Sequence, residues 1–263
     1  MNLIFTTLSL GIPYTQDYCL KLINDVLKKT DHSICITTDC RDIIIDKYPN
    51  ESRIIIKEIK REDLKIRINT DWGVGYSDDF NFNMRYMCLD EVKEMEDHVI
   101  IFTDCDNSLD WWDENKIEKW LNVKIEEGFD FFAPRNNLKL CHFLEEYKKE
   151  NNKKHGIFWH KLFNYDLIEN PKKEWDNAPL PAEYLLIFYN RNKKLIKFYE
   201  QWKWFHDYLV ERDKSYGTWA EGFEIGISSH VAGMIPFDIG WCHDIWKKAI
   251  MPNGYKLRHP TEK

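Results

Sequence analysis

Continuous runs of apolar and β-branched residues recur along the chain. They cover Asn2 to Leu8, Ser33 to Thr38, Arg53 to Ile59, Val99 to Thr103, Phe129 to Ala133 and Glu183 to Tyr189. Runs this short and this unbroken predict buried strands. Between them the period lengthens. Tyr18, Leu22, Ile23, Val26 and Leu27 make one stripe in the stretch Tyr14 to Lys29, which predicts a helix. Helices are also expected over Phe82 to Met95, Asp113 to Val123, Leu195 to Val210 and Glu221 to Met234. Asp71 to Asp79, "DWGVGYSDD", is rich in Gly and Asp and reads as a loop.

Strands alternating with helices predict an α/β fold: a mostly parallel, Rossmann-like sheet with helices on both faces. Ligands of such sheets sit beyond the carboxyl ends of the strands. With 263 residues there is room for one large domain or two small ones. No repeat, low-complexity segment or linker interrupts the chain, so a single domain over 1–263 is expected, its pattern changing after residue 137. The tail from Pro236 has no clear periodicity.

Composition narrows the function classes. Aromatic residues make up 15%, with 11 Trp and 13 Tyr. Such an excess either stacks on flat ligands such as bases and sugars or fills an aromatic core. A net charge of −7 speaks against a general nucleic-acid binder. The cysteines (Cys19, Cys35, Cys40, Cys88, Cys105, Cys141 and Cys242) are scattered without a CxxC pair. They therefore signal neither a zinc frame nor a disulfide frame, and read as reduced thiols. The opening "MNLIFTTLSLGIPY" lacks a basic leader and a cleavage site. No apolar run approaches the roughly 18 residues that span a bilayer. The expectation is a cytoplasmic protein without a transmembrane segment.

The most informative stretch is "VIIFTDCDNSLDWW", Val99 to Trp112. A buried strand delivers Asp104 and Asp106 to its end. Residues i and i+2 of an extended chain point to one side, so both carboxylates can converge on a hard cation such as Mg²⁺ or Mn²⁺. A cation there would neutralise a departing diphosphate. The plain alternative is a polar turn, since Asp, Asn and Ser are turn formers. A third reading is catalytic: "IIFTDCDNSLD" resembles the first motif of haloacid-dehalogenase phosphatases, which would make Asp104 a nucleophile. Asn107-Ser108 departs from that motif, and no acidic pair follows downstream, Asp238 and Asp244 being poorly spaced for it.

In layout the chain resembles glycosyltransferases of the GT-A fold, which carry an Asp-x-Asp motif at the end of a central strand. "IFTTLSLGIPYTQDY" is similar to the first strand and loop of glycogenin-like members, and "FNFNMRYMCLDEVKEMEDHVIIFTDCDN" to their helix, acidic turn, strand and motif. The resemblance implies a nucleotide-sugar-binding half, 1–137, and an acceptor-binding half, 138–263. It implies a UDP-sugar donor, with Asp104 and Asp106 holding Mn²⁺ or Mg²⁺ and a third ligand from His243 or, as second choice, His259. Thr6, Thr7 and Tyr14 would approach the base and ribose, Asp39 the nucleotide, and Arg85 the phosphates. Asp71 and Trp72 are candidates to flank the base. Arg135 would face the sugar or the diphosphate, or make a surface salt bridge. Glu221, with Glu224 as second choice, would be the general base that deprotonates an acceptor hydroxyl. Acids near a helix start are otherwise simple caps. Cys105, between two ligands, is expected to pack inward.

The acceptor is open. The basic stretch Lys148 to Lys161, with Phe158 and Trp159, either grips a phosphodiester and stacks on a base, as a hydroxymethylated DNA acceptor would need, or is a solvated loop. A glycan, a lipopolysaccharide precursor or a protein are the other acceptors. A non-catalytic nucleotide- or sugar-binding module is the remaining alternative.

Overall fold

The computed structural model describes residues 1–60, 82–110, 112–140, 175–212 and 221–239. Strand β1 (Leu3–Ser9) leads through a short helical turn, Ile12–Tyr14, and a π-helical turn, Thr15–Cys19, into α1 (Leu20–Lys29). Then come β2 (Ser33–Thr38), α2 (Arg41–Lys47) and β3 (Ile54–Glu58). A 3₁₀ segment, Phe82–Leu89, precedes β4 (Val99–Thr103), α3 (Glu114–Glu126) and β5 (Phe131–Ala133). The described chain closes with β6 (Leu185–Tyr189), α4 (Lys194–Arg212), α5 (Glu221–Val231) and β7 (Pro236–Asp238).

The strands form one seven-stranded sheet, ordered β3-β2-β1-β4-β6-β5-β7. Strands β3, β2, β1 and β4 run parallel, β6 is antiparallel to both β4 and β5, and β7 is parallel to β5. This is the expected mostly parallel α/β sheet. Its two faces bury different sides of each strand. Leu3, Phe5, Val99 and Ile101 pack against Leu22, Ile23 and Val26 of α1, Ile44 of α2, and Ile117 and Leu121 of α3. Ile4, Ile100 and Phe102 face the 3₁₀ segment, with Leu195, Phe198 and Trp202 of α4 and Ile225 of α5. Covering on both faces is why the central strands carry no polar alternation. Much of the aromatic excess lies on this second face, where Phe131, Phe188, Phe198 and Trp202 pack ring on ring.

The structure departs from the sequence pattern in four places. The helix expected over Phe82 to Met95 is 3₁₀ to Leu89 and then turns. Two carbonyls at its end are held from the sheet: Cys88 accepts from the Thr6 hydroxyl at 2.7 Å and Met87 from Thr37 at 3.3 Å. Helix α5 stops at Val231 instead of Met234, because Gly233 turns left-handed (φ 69°). Helix α2, "RDIIIDK", lies in a stretch where the apolar pattern predicts no element, and β7 has only three residues to betray it.

Asp130 fastens the far side of the sheet. Its fully buried carboxylate takes Lys194 at 2.5 Å, lies 3.6 Å from Arg191 Nε and accepts the Ile235 backbone N–H. A buried acid thus joins β5, α4 and β7 through a paired charge.

Candidate functional site

Strand β1 is flanked by β2 on one side and β4 on the other, so the chain order reverses between β1 and β4. In an open α/β sheet that reversal leaves a crevice beyond the carboxyl ends of the two strands. Asp104 is the first residue past the end of β4, and Ser9 ends β1.

The turn carrying the aspartates is pinned to the start of β6. Asp104 N–H donates to the Tyr184 carbonyl at 3.2 Å, and Asn107 N–H to the Asp104 carbonyl at 3.0 Å. The Asn107 side-chain amide donates to Thr103 Oγ1 at 3.0 Å and to the Tyr184 carbonyl at 2.9 Å. Cys105 packs into the core, as expected, and the carboxylates on either side of it stay half-buried.

Arg85, on the 3₁₀ segment, grips Asp104 with both arms: Nε to Oδ1 at 2.9 Å and Nη2 to Oδ2 at 3.0 Å. The Tyr14 hydroxyl, from the turn after β1, hydrogen-bonds Asp106 and lies against Cys105. Burial pushes the Asp104 carboxyl up to about 8; Arg85 opposes this, while Asp106 and Glu183 add to it. Asp106 is also raised, by burial, against the pull of Arg85 and the Tyr14 hydrogen bond. Burial raises the Tyr14 hydroxyl well above its ordinary value, helped by Cys105 and both aspartates, so it stays a donor. Among the described residues one guanidinium faces this group of acids, and oxygen donors on one turn suit a hard divalent cation.

Glu183 carries no local sequence signal; only the antiparallel pairing of Leu185 with Thr103 brings it to this rim. Helix α5 comes close as well. A Cβ on Gly222 would lie 2.8 Å from the Pro181 carbonyl oxygen and 3.7 Å from Glu183 Oε2, and one on Gly226 only 1.8 Å from the Pro179 carbonyl oxygen. These glycines let the helix lie directly on the chain that leads into β6. Glu183 does not complete a three-ligand set with the aspartates: among the described residues, the three-ligand group with atoms within 4.8 Å is His32, Glu114 and Glu118.

Other residues singled out in the sequence fall differently. Thr6 and Thr7 are fully buried, and their hydroxyls donate to the carbonyls of Cys88 (2.7 Å) and Thr103 (2.8 Å). A central strand covered on both faces turns these side chains to the sheet's neighbours and not to the crevice beyond its end. Asp39 accepts from Gly11 N–H at 2.8 Å, tying the end of β2 to the loop after β1, where Gly11 has φ 83°. Arg135 sits after β5, two strands from β4, with its backbone N–H donated to Asp238 at 2.8 Å. Glu224 is buried within α5, 1% exposed, which disfavours it as a base that must reach an acceptor. Glu221 is the first residue of α5; its side chain lies outside the described residues, as do Asp71, Trp72, His243, His259 and the Lys148 to Lys161 stretch.

No protein-family model matches the chain, and no curated protein matches it. Among solved structures it is similar to S. aureus TarS 1-349 in complex with UDP, at 16% identity and a TM-score of 0.33, covering 51% of this chain and 35% of that one. The TarS complex with UDP-GlcNAc gives 15% identity over 51% and 34%, with a TM-score of 0.33. The chain thus spans about a third of the TarS chains. Mouse xyloside xylosyltransferase 1, apo form, is similar at 11% identity over 91% of this chain and 84% of that one, with a TM-score of 0.44. At these scores the likenesses carry no argument about activity. Among the described residues, no helix is long and apolar enough to cross a membrane.

Proposed function

We propose that the chain is a metal-dependent glycosyltransferase that moves a sugar from a nucleotide diphosphate, a UDP-sugar in first place, to a hydroxyl acceptor. The observation that carries this reading is the position of Asp104 and Asp106. They lie just past β4, where the order of the described strands reverses between β1 and β4, with Arg85 paired to Asp104.

In this reading Asp104 and Asp106 hold Mn²⁺ or Mg²⁺, with His243 or His259 as the further ligand. The ion supplies charge neutralisation to a leaving diphosphate. Arg85 turns part of its guanidinium from Asp104 to a phosphate oxygen, a planar fork suiting either partner. Tyr14 keeps Asp106 oriented. Glu221 stands at the start of a helix whose next residue, Gly222, packs beside Glu183, which supports it over the buried Glu224 as the base that takes the acceptor proton. Glycan and hydroxymethylated DNA remain the acceptors to test.

The experiment is a calorimetric titration with UDP, with and without Mn²⁺, on wild type and Asp104→Asn/Asp106→Asn. Mn²⁺-dependent binding lost in the double variant supports the reading; binding that ignores both the metal and the substitutions overturns it. A donor panel read as released nucleoside diphosphate, with and without a DNA acceptor, then assigns sugar and acceptor.

A further inference from the structure

At the opposite end of the strands, His32 immediately precedes β2, and Glu114 and Glu118 lie one turn apart on α3. Residues at i and i+4 share a helix face. His32 Nε2 is 3.4 Å from Glu114 Oε1 and 3.2 Å from Glu118 Oε1. The ligand atoms of all three residues fall within 4.8 Å of one another. From these contacts we infer that His32, Glu114 and Glu118 form a transition-metal site that takes Zn²⁺.

The distances fit the ion. Bonds of about 2.0–2.1 Å at tetrahedral angles put neighbouring ligand atoms roughly 3.3 Å apart. The two histidine–carboxylate edges match that spacing. His32 Nε2 is buried and makes no hydrogen bond, although two carboxylates lie beside it. The ring is not free to drift, being held edge-on to Trp112 (6.1 Å, 86°) and tilted against Phe5 (6.5 Å). The Met1 amino group is 3.9 Å from the other oxygen of Glu118, so it leaves the histidine-facing oxygen to the ion.

Imidazole and carboxylate together select zinc-like ions over Mg²⁺ or Ca²⁺, which prefer all-oxygen sets. The half-exposed Glu114 leaves the fourth position to water. A bound ion would staple the start of α3 to the segment entering β2. It stands apart from the aspartate crevice and does not rest on the proposed reaction.

The test is Zn²⁺ titration of the chelator-treated full chain, followed by calorimetry, melting temperature and the His32 ring-nitrogen resonances. Wild type should bind Zn²⁺, melt at a higher temperature with it, and show the Nε2 resonance shift. Glu114→Gln/Glu118→Gln, altering partly exposed side chains, should lose that binding and the rise in melting temperature. Asp104→Asn/Asp106→Asn should keep both. An unmoved Nε2 resonance in wild type, or equal Zn²⁺ binding by wild type and the glutamine variant, overturns the site.

Discussion

Arg85 holds both oxygens of Asp104, at 2.9 and 3.0 Å, while itself only 7% exposed. The 3₁₀ segment and the end of β4 are therefore locked together by one bidentate pair. Removing one partner of a buried pair leaves the other charge stranded. Arg85→Ala should lower stability by about 3 kcal/mol, read as a shift in the urea midpoint. Asp104→Asn/Arg85→Met, which removes both charges, should recover a good part of that loss. A double variant no more stable than Arg85→Ala would show that the pair is not what holds the segment.

Tyr14 acts on the site through Asp106. Its hydroxyl hydrogen-bonds the carboxylate. Groups that orient a metal ligand typically contribute about 10–100-fold in affinity. Tyr14→Phe should weaken Mn²⁺-dependent UDP binding by about tenfold, with circular dichroism and melting temperature near wild type. Unchanged metal dependence would reduce Tyr14 to a packing role.

The contact of α5 with the lead-in to β6 depends on missing side chains. A Cβ on Gly226 would sit 1.8 Å from a backbone carbonyl oxygen, against 2.8 Å for Gly222. Both positions must shift on substitution, Gly226 much further. Overpacking costs about 1–3 kcal/mol and sometimes more. Gly226→Ala should fall at or above the top of that range and Gly222→Ala lower in it, ranked by chemical denaturation. The reverse order would mean the helix is not seated on Pro179 to Pro181.

Cys40 is half-buried, and its thiol is pushed up to about 11 by burial and by the adjacent Asp39, whose carboxylate lies 3.3 Å from the sulfur. The thiolate is the reacting form, so raising the pKa slows alkylation at any lower pH. Labelling of the Cys40 peptide by iodoacetamide should keep rising with pH past about 8.5, where an ordinary thiol begins to level off. Asp39→Asn, which removes the charge but can still accept from Gly11, should speed labelling at pH 8. Peptide mass spectrometry reads both.

What was legible in the sequence is what short-range pattern controls. The strands at Leu3–Ser9, Ser33–Thr38 and Val99–Thr103 follow from unbroken apolar runs, because a strand covered on both faces must be apolar on both. The pair Asp104 and Asp106 was legible too, since a polar turn after such a run has to leave the core. Cys105 was assigned inward by the same alternation, and the structure agrees. Tertiary structure alone decided the rest. Phe82–Leu89 ends where distant threonine hydroxyls take the carbonyls of Met87 and Cys88. Thr6 and Thr7 are closed off because neighbouring elements cover their strand. Glu183 comes near enough to Asp104 to raise its carboxyl, and His32 reaches Glu114 and Glu118, across separations of more than 75 residues. A local window sees the turn that presents a side chain; it does not see which strand, inserted antiparallel from the other half of the chain, brings the partner.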